Sequence, residues 1–263
     1  MIRTVCVVGL GYIGLPTASF LGTKGYRVIG VDAKASVVET INRGEIHIVE
    51  PDLDILVKSA VGSGHLRAQG TPGPADVFSI AVPTPVREPG HEPDVRYVEE
   101  ATRSIAPYVR AGNLVIVEST IPVGTTTGTV LPILRAEAPE GARGVHVAHC
   151  PERVLPGRIL TELVENDRIV GGIDAASTDA AAAFYGGFVN GQVLKTDAAT
   201  AEMAKLSENT FRDVNIALAN ELSLICDRHG IDPWAMIALA NRHPQGRRIR
   251  DADHEINPEA RPG

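Results

Sequence analysis

Aromatic residues make up only 4% of these 263 residues, so a folded core has to be built from aliphatic side chains and glycine-tight contacts. Cysteine is scarce too. The three cysteines, at 6, 150 and 226, show neither metal-ligand spacing nor a disulfide framework. Cys6 and Cys226 lie inside apolar patterns and read as small core residues, and no metal site is expected. A basic excess is also missing. Twenty-five Lys and Arg face 32 Asp and Glu, a formal charge of -7. That balance excludes a general nucleic-acid or membrane-surface binder, while leaving room for a local basic pocket that takes an anionic ligand. No apolar run is long enough to span a bilayer and no charged-then-apolar leader precedes the first strand, so a cytoplasmic location is expected.

What is present is 44% hydrophobic and 22% charged residues, enough for a true core. The length suits one large domain, or a domain with part of a second. Strand-like and helix-like patterns alternate from residue 4. "TVCVVG", "RVIGVD", "ADVFSIAV", "NLVIVES", "GVHVAHC", "RIVGGI" and "GQVLKTD" read as strands. Between them "IGLPTASFLGTKG", "SVVETINRG", "DVRYVEEATRSIAPYV", "PVGTTTGTVLPILRAEA" and "AASTDAAAAFYGGF" read as helices. Continuous apolar strands alternating with helices predict a parallel sheet covered on both faces.

From Ala198 to about His229 there is neither Pro nor Gly, which predicts one helix of roughly thirty residues. Gly230 ends it, and "DPWAMIALANR" starts another with Asp232 as N-cap and Pro233 at the first helical position. The stretch 246–263 has only two large apolar residues, Ile249 and Ile256, and is expected to be disordered.

"VVGLGYIGLP" places Gly9, Gly11 and Gly14 in G-x-G-x-x-G order between a strand and a helix, and Asp32 ends the next strand about twenty residues on. Gly9 permits the tight turn, Gly11 lets the backbone approach a pyrophosphate, and Gly14 draws helix and strand together. The helix N-terminus adds amide donors and positive potential. Asp32 accepts from both ribose hydroxyls and repels a 2′-phosphate, so NAD is expected rather than NADP. The fold class is therefore α/β: a Rossmann-type doubly wound parallel sheet over residues 1–197, then a long helix and the start of a second, all-α module over 198–245.

Two further loops follow strands of this sheet. "AVPTPV" sets Thr84 between prolines, and "ESTIPVG" carries Ser119 and Thr120. Ligands of doubly wound sheets sit outside the carboxyl ends of strands, so these hydroxyls are expected to line one groove. "HCPERVLPGR" then brings Glu152 and Arg153 to the same edge on a proline-bracketed loop, either as chemistry or as a surface ion pair. On the long helix, Lys205, Asn209 and Arg212 fall at i, i+4 and i+7, one face that is either solvated or aimed into a cleft. In a cleft, the amine and amide would stabilise an oxyanion, and Arg212 would pair with a phosphate or carboxylate.

Assembled in order, "GLGYIGLPTA", "INRGEIHIVEPDL", "AVPTP", "CPERVLPGR", "NDRIVGG", "AEMAKLSENTFRDVNIALANELSLICD" and "LANRHP" resemble the nucleotide-sugar 6-dehydrogenase superfamily, the UDP-glucose and GDP-mannose dehydrogenases, over residues 1 to about 244. "PERVLPG" and "NDRIVGG" lean toward the N-acetylmannosamine branch. The resemblance implies two hydride transfers to NAD, taking the sugar's C6 alcohol through an aldehyde and a cysteine-bound thioester to the uronate. It implies that Lys205 and Asn209 stabilise the oxyanion, that Thr120 positions water and nicotinamide, and that Glu152 is the hydrolytic base. By the same resemblance Tyr12, Ile13, Asp32, Thr84 and Thr120 contact NAD, and Arg153, Val154, Leu155, Lys205, Asn209, Arg212 and His243 meet the UDP-sugar. A homodimer through the central helices is implied as well.

One departure bears on activity. The family continues after "ANRHP" with an arginine, a "GVGGHC" segment bearing the nucleophilic cysteine and a UDP-binding domain. Here Gln245 stands at the arginine's place and no cysteine follows Cys226. Cys150 lies in the same motif as Glu152 but has no such duty in the family. Binding of NAD with little or no sugar oxidation is therefore expected. The competing readings are a non-catalytic NAD-binding or dimerisation module, a single-step alcohol dehydrogenase, and a UDP-glucose or UDP-N-acetylglucosamine 6-dehydrogenase relative.

Overall fold

A computed structural model describes residues 2–90, 92–138 and 144–242. His243 and the stretch 246–263 expected to be disordered lie outside the described residues. The elements run β1 (Thr4–Val8), α1 (Gly14–Thr23), β2 (Arg27–Val31), α2 (Ala35–Asn42), α3 (Leu53–Gly62), β3 (Leu66–Gln69), β4 (Val77–Ile80), β5 (Val86–Arg87), β6 (Glu92–Pro93) and α4 (Arg96–Ile105). They continue with β7 (Leu114–Val117), α5 (Leu131–Glu137), β8 (His146–His149), α6 (Ile159–Glu165), β9 (Arg168–Gly172), α7 (Ala175–Tyr185), β10 (Val193–Asp197), α8 (Ala198–Arg228) and α9 (Pro233–Ala240).

Alternate residues of the buried strands serve two apolar layers, because successive side chains leave a strand on opposite faces. Val5 and Val7 of β1 join Leu15, Leu21, Leu53, Val57 and Phe184 from α1, α3 and α7. Cys6 and Val8 join Val98, Ile105 and Leu134 from α4 and α5. The same division splits Leu114 and Ile116 from Val115 and Val117 in β7. Helices thus cover both faces, as the continuous apolar strands predict.

Among the described residues, eight strands form one sheet in the order β10-β9-β8-β7-β4-β1-β2-β3. From β3 to β8 the neighbours are parallel. The sheet is parallel as expected except at one pairing. β9 runs antiparallel to β8, with Ala148 opposite Gly172 and His149 opposite Gly171, and β10 follows β9 in parallel. The link between β8 and β9 does not cross back over a face of the sheet. It turns round beyond the carboxyl end of β8, carrying the seven-residue α6, and re-enters the sheet at the same end.

The alternation in the sequence assigns nothing between Gly44 and "ADVFSIAV", yet α3 and the edge strand β3 lie there. β3 is four residues long and alternates buried with exposed or part-exposed residues, a weaker signal than a run buried throughout.

The chain divides into two compact units, residues 1–205 and 206–263. The first holds the sheet and the opening turns of α8. In the second, Asp232 caps α9 by accepting from the Trp234 N–H at 3.0 Å, with Pro233 at the first helical position as the sequence predicts. No helix among the described residues is long and apolar enough to cross a membrane.

Candidate active site

Strand order reverses at β1, whose neighbours are β2 on one side and β4 on the other, and the crevice at such a switch point takes ligands. The glycine loop opens there. Gly9 adopts φ +94, and a Cβ at this position would lie 2.6 Å from the Ala81 carbonyl oxygen. A Cβ on Gly14 would collide with the carbonyl oxygen of Gly9. Gly11 differs: a Cβ there meets nothing within 4 Å. Two glycines are therefore needed by the fold, while the third leaves a space that a pyrophosphate fits. Tyr12 is half exposed beside it, and Ile13 is the N-cap of α1. Asp32 is anchored at the end of β2. Its Oδ2 accepts from the Leu10 N–H at 3.1 Å and its Oδ1 from Lys34 N–H at 2.9 Å. A carboxylate has about four acceptor positions, so capacity remains for ribose hydroxyls. These residues fit NAD.

The hydroxyls at the next strand ends are engaged with each other's loops. Thr84 Oγ1 donates to the Thr120 carbonyl at 2.6 Å, and Ser119 Oγ donates to the Val82 carbonyl at 2.7 Å. Both bonds lock the loop after β4 to the loop after β7. Ser119 is buried, and its hydroxyl hydrogen is used in this lock.

The backward β9 explains what holds Glu152. Extending the β8–β9 register three residues past the His149–Gly171 pair sets Glu152 opposite Arg168. Arg168 Nη1 meets Glu152 Oε2 at 2.6 Å, with both side chains almost fully buried, 3% and 6% exposed. Glu152 Oε1 accepts the Arg153 N–H at 2.7 Å. Arg168 Nη2 also donates to the Leu163 carbonyl, and its guanidinium stands 5.5 Å from the Tyr185 ring centroid. Burial works against the Arg168 charge, but the Glu152 carboxylate together with the Cys150 and Tyr185 groups beside it raises the pKa. The Tyr185 hydroxyl donates at 2.6 Å to Glu118, at the end of β7. Burial, then the nearby Glu152 charge, pushes the Glu118 carboxyl above its usual range. Glu152 is thus the outermost member of a buried polar cluster and not half of an exposed surface pair.

Cys150 lies in the same cluster and is fully buried, its thiol pushed up to about 12 by burial. Such a thiol is inert as a nucleophile.

His149 is buried without a protein partner for either ring nitrogen. Burial pushes it down to about 4 from 6.5, against a small opposing pull from the Val117 backbone. The unfolded chain therefore takes up this proton first. Stability is intact above the unfolded value and is lost as pH falls toward the folded one, about 2 kcal/mol of it by pH 5. Thermal melts between pH 7 and pH 5 are expected to show this fall, and His149→Gln should flatten it.

The start of α8 is tied to the Thr120 loop by Glu202, which is completely buried. Its Oε1 accepts from the Thr126 N–H at 2.8 Å and the Thr126 hydroxyl at 2.6 Å, and its Oε2 accepts from Gly124 N–H at 2.5 Å. Lys205 stands one turn farther along the same helix, partly buried. Asn209 and Arg212 fall in the second unit. Arg212 Nη2 donates to Asn209 Oδ1 at 3.2 Å, so these two do share a face. Of the loop residues, Arg153 donates through Nη1 to the Asp167 carbonyl at 3.1 Å, Val154 is partly buried and Leu155 is exposed. Arg168, Glu118 and Glu202 carry the site's buried electrostatics and were not singled out by the sequence. The signal available for Arg168 was an arginine opening an otherwise apolar strand, "RIVGG".

The NAD binding domain of the UDP-glucose/GDP-mannose dehydrogenase family matches residues 3–189, and the family's central domain matches residues 199–257. An NDP-N-acetyl-D-galactosaminuronic acid dehydrogenase from Ralstonia nicotianae is 55% identical over 250 residues, covering 92% of this chain and 59% of the relative. The UDP-N-acetyl-D-mannosamine dehydrogenase of Escherichia coli K12 is 53% identical over 249 residues, with the same coverage. The solved structure of the UDP-N-acetyl-mannosamine dehydrogenase from Staphylococcus aureus superimposes with a TM-score of 0.85 at 45% identity, over 92% of this chain and 59% of that one. The chain thus spans about 59% of the length of these relatives. With the glycine loop, the carboxylate at the end of β2 and both domain matches in register, the chain belongs to the UDP-glucose/GDP-mannose dehydrogenase family, and residues 3–189 are its NAD binding domain.

Proposed function

We propose that this chain is the cofactor-binding and substrate-orienting part of an NAD-dependent nucleotide-sugar 6-dehydrogenase that converts UDP-N-acetyl-D-mannosamine to UDP-N-acetyl-D-mannosaminuronate. The observation that carries this is the row of strand ends: the glycine loop and Asp32, then the Thr84–Thr120 lock, then Glu152 held by Arg168. NAD, when bound, accepts the hydride leaving C6. Asp32 orients its ribose, and the Thr84–Thr120 lock fixes the wall of the groove. Arg168 holds Glu152 aimed, as a general base must be placed. Lys205 and Asn209 steady negative charge on the sugar oxygen. Arg153, Val154, Leu155, Arg212 and His243 meet the nucleotide sugar.

All three thiols of this chain are buried and unpaired. The thioester step therefore has no nucleophile among residues 1–263, and free cysteines of this kind suit a reducing cytoplasm. Purified protein is expected to bind NAD and to release no uronate from UDP-N-acetylmannosamine; measurable uronate would overturn the expected loss of the thioester step, and absence of NAD binding would overturn the assignment itself. Calorimetry with the galactosamine-configured sugar nucleotide beside UDP-N-acetylmannosamine tests the second reading, favoured by the Ralstonia relative. Asp32→Ala should weaken NAD binding by about tenfold or more in calorimetry, the scale of hydrogen bonds to a charged group. Unchanged affinity would remove the cofactor site from this crevice.

The second unit exposes Phe211, Val214, Leu218 and Ile225. Their spacing sets them on one face of α8, and a second copy of the chain is the proposed cover. Sedimentation of native protein beside Leu218→Glu tests it, with dimer expected for the first and monomer for the second.

A further inference from the structure

The stretch "INRGEIHIVEPDL" has no part in the chemistry above, yet its Glu50 is 4% exposed, as buried as the core residues around it. Both carboxylate oxygens reach across the chain to backbone N–H groups more than a hundred residues away. Oε2 accepts from Gly157 and Oε1 from Ile159, each at 2.8 Å. These two amides flank Arg158 at the end of the "PERVLPGR" loop, where Gly157 has φ +88 and α6 begins. The loop has other ties of its own. Glu162 Oε2 accepts the Leu155 N–H at 2.8 Å, and Asn166 Nδ2 donates to the Arg153 carbonyl at 3.3 Å. Those ties come from within the β8–β9 excursion and would travel with it. Glu50 comes from outside, from the linker between α2 and α3.

That linker is itself fixed. Asp52 adopts φ 61, a left-handed turn that aspartate tolerates better than most residues. Immediately after it, Leu53 is fully buried at the start of α3. The carboxylate is thus presented from a rigid support.

We propose that Glu50 is a positioning residue for sugar-nucleotide binding. It anchors the far end of the loop so that Arg153, Val154 and Leu155 are held in place for the substrate, acting through the Gly157 and Ile159 amides and not by contact with the sugar. The inference rests on the reading that this loop meets the nucleotide sugar. Two N–H donors aimed at one side chain call for an acceptor at both oxygens. Glutamine has the same shape but offers one oxygen and one NH2, so one of the two amides faces another donor. Aspartate keeps the charge but loses a methylene of reach.

The test uses the whole chain with UDP-N-acetylmannosamine as the probe, in calorimetry at saturating NAD. Glu50→Gln and Glu50→Asp are each expected to lower affinity for the sugar nucleotide by roughly tenfold, the scale of a lost bond to a charged group. NAD affinity should stay within about twofold, since the glycine loop makes no use of Glu50. Hydrogen exchange at the Gly157 and Ile159 amides should quicken in both variants. Faster exchange with unchanged sugar-nucleotide affinity overturns the positioning role, and so does unchanged exchange. Parallel losses of NAD and sugar-nucleotide binding overturn it too, because they mark a general loss of fold. A native chain that binds no UDP-N-acetylmannosamine overturns the substrate reading beneath it, a result distinct from variants that bind as well as the native chain.

Discussion

Alanine at Gly11 and alanine at Gly14 are expected to fail in opposite ways. A methyl group on Gly14 runs into the backbone carbonyl of Gly9, and backbone at the tip of a buried strand does not yield as a flexible side chain does. Overpacking typically costs about 1–3 kcal/mol and more where nothing can move, so Gly14→Ala should sit at or beyond the upper end. A melt or urea titration would show it as a large loss of stability or of soluble protein. A methyl group on Gly11 points into open space. Gly11→Ala should therefore melt within a degree or two of the native protein while losing most of its NAD affinity, because the methyl occupies the place of the pyrophosphate. If both variants bind NAD normally, the crevice is not the cofactor site. If both merely unfold, Gly11 has a structural part that its surroundings do not reveal.

Arg168→Met should be among the most damaging single changes outside the glycine loop. Methionine keeps apolar volume over the Tyr185 ring but strands Glu152 as a buried carboxylate without its cation. Breaking a buried pair from one side costs about 3–5 kcal/mol. In a domain of this size that lowers the melting temperature by roughly 10 °C. The double variant Arg168→Met, Glu152→Gln removes the charge as well as its partner and should recover much of the loss, as an interaction energy in a double-mutant cycle. Equal damage in the single and double variants would mean that Arg168 matters for packing alone.

The sequence makes the cofactor end legible and the catalytic end much less so, for physical reasons. The glycine loop is local: its roles follow from where each Cβ would go relative to backbone a few residues away, or to the next strand. Asp32 follows from the same short βαβ unit. Glu152 and Arg168 are sixteen positions apart, and their meeting depends on the direction of β9. Nothing in "RIVGG" declares that direction, because an apolar five-residue strand has the same pattern whichever way it runs. Glu50 and Glu202 were hidden for a related reason. Each satisfies backbone amides far along the chain, and amides carry no residue-specific mark. The long helix and the Asp232 cap were clear, since a run free of Pro and Gly followed by Gly and Asp-Pro is a strictly local code.

The turn-round between β8 and β9 has an evolutionary corollary. Its two feet, Glu152 and Arg168, are clasped to each other, so the excursion they enclose is a closed handle on an otherwise finished sheet. Between Arg153 and Leu163, whose backbone groups also hold the clasp, the excursion is open to change of length or composition without re-aiming the carboxylate at its base. On the reading proposed above, in which Glu152 is the proton acceptor and this loop meets the sugar nucleotide, exchanging the handle would change sugar preference and leave that carboxylate where it is.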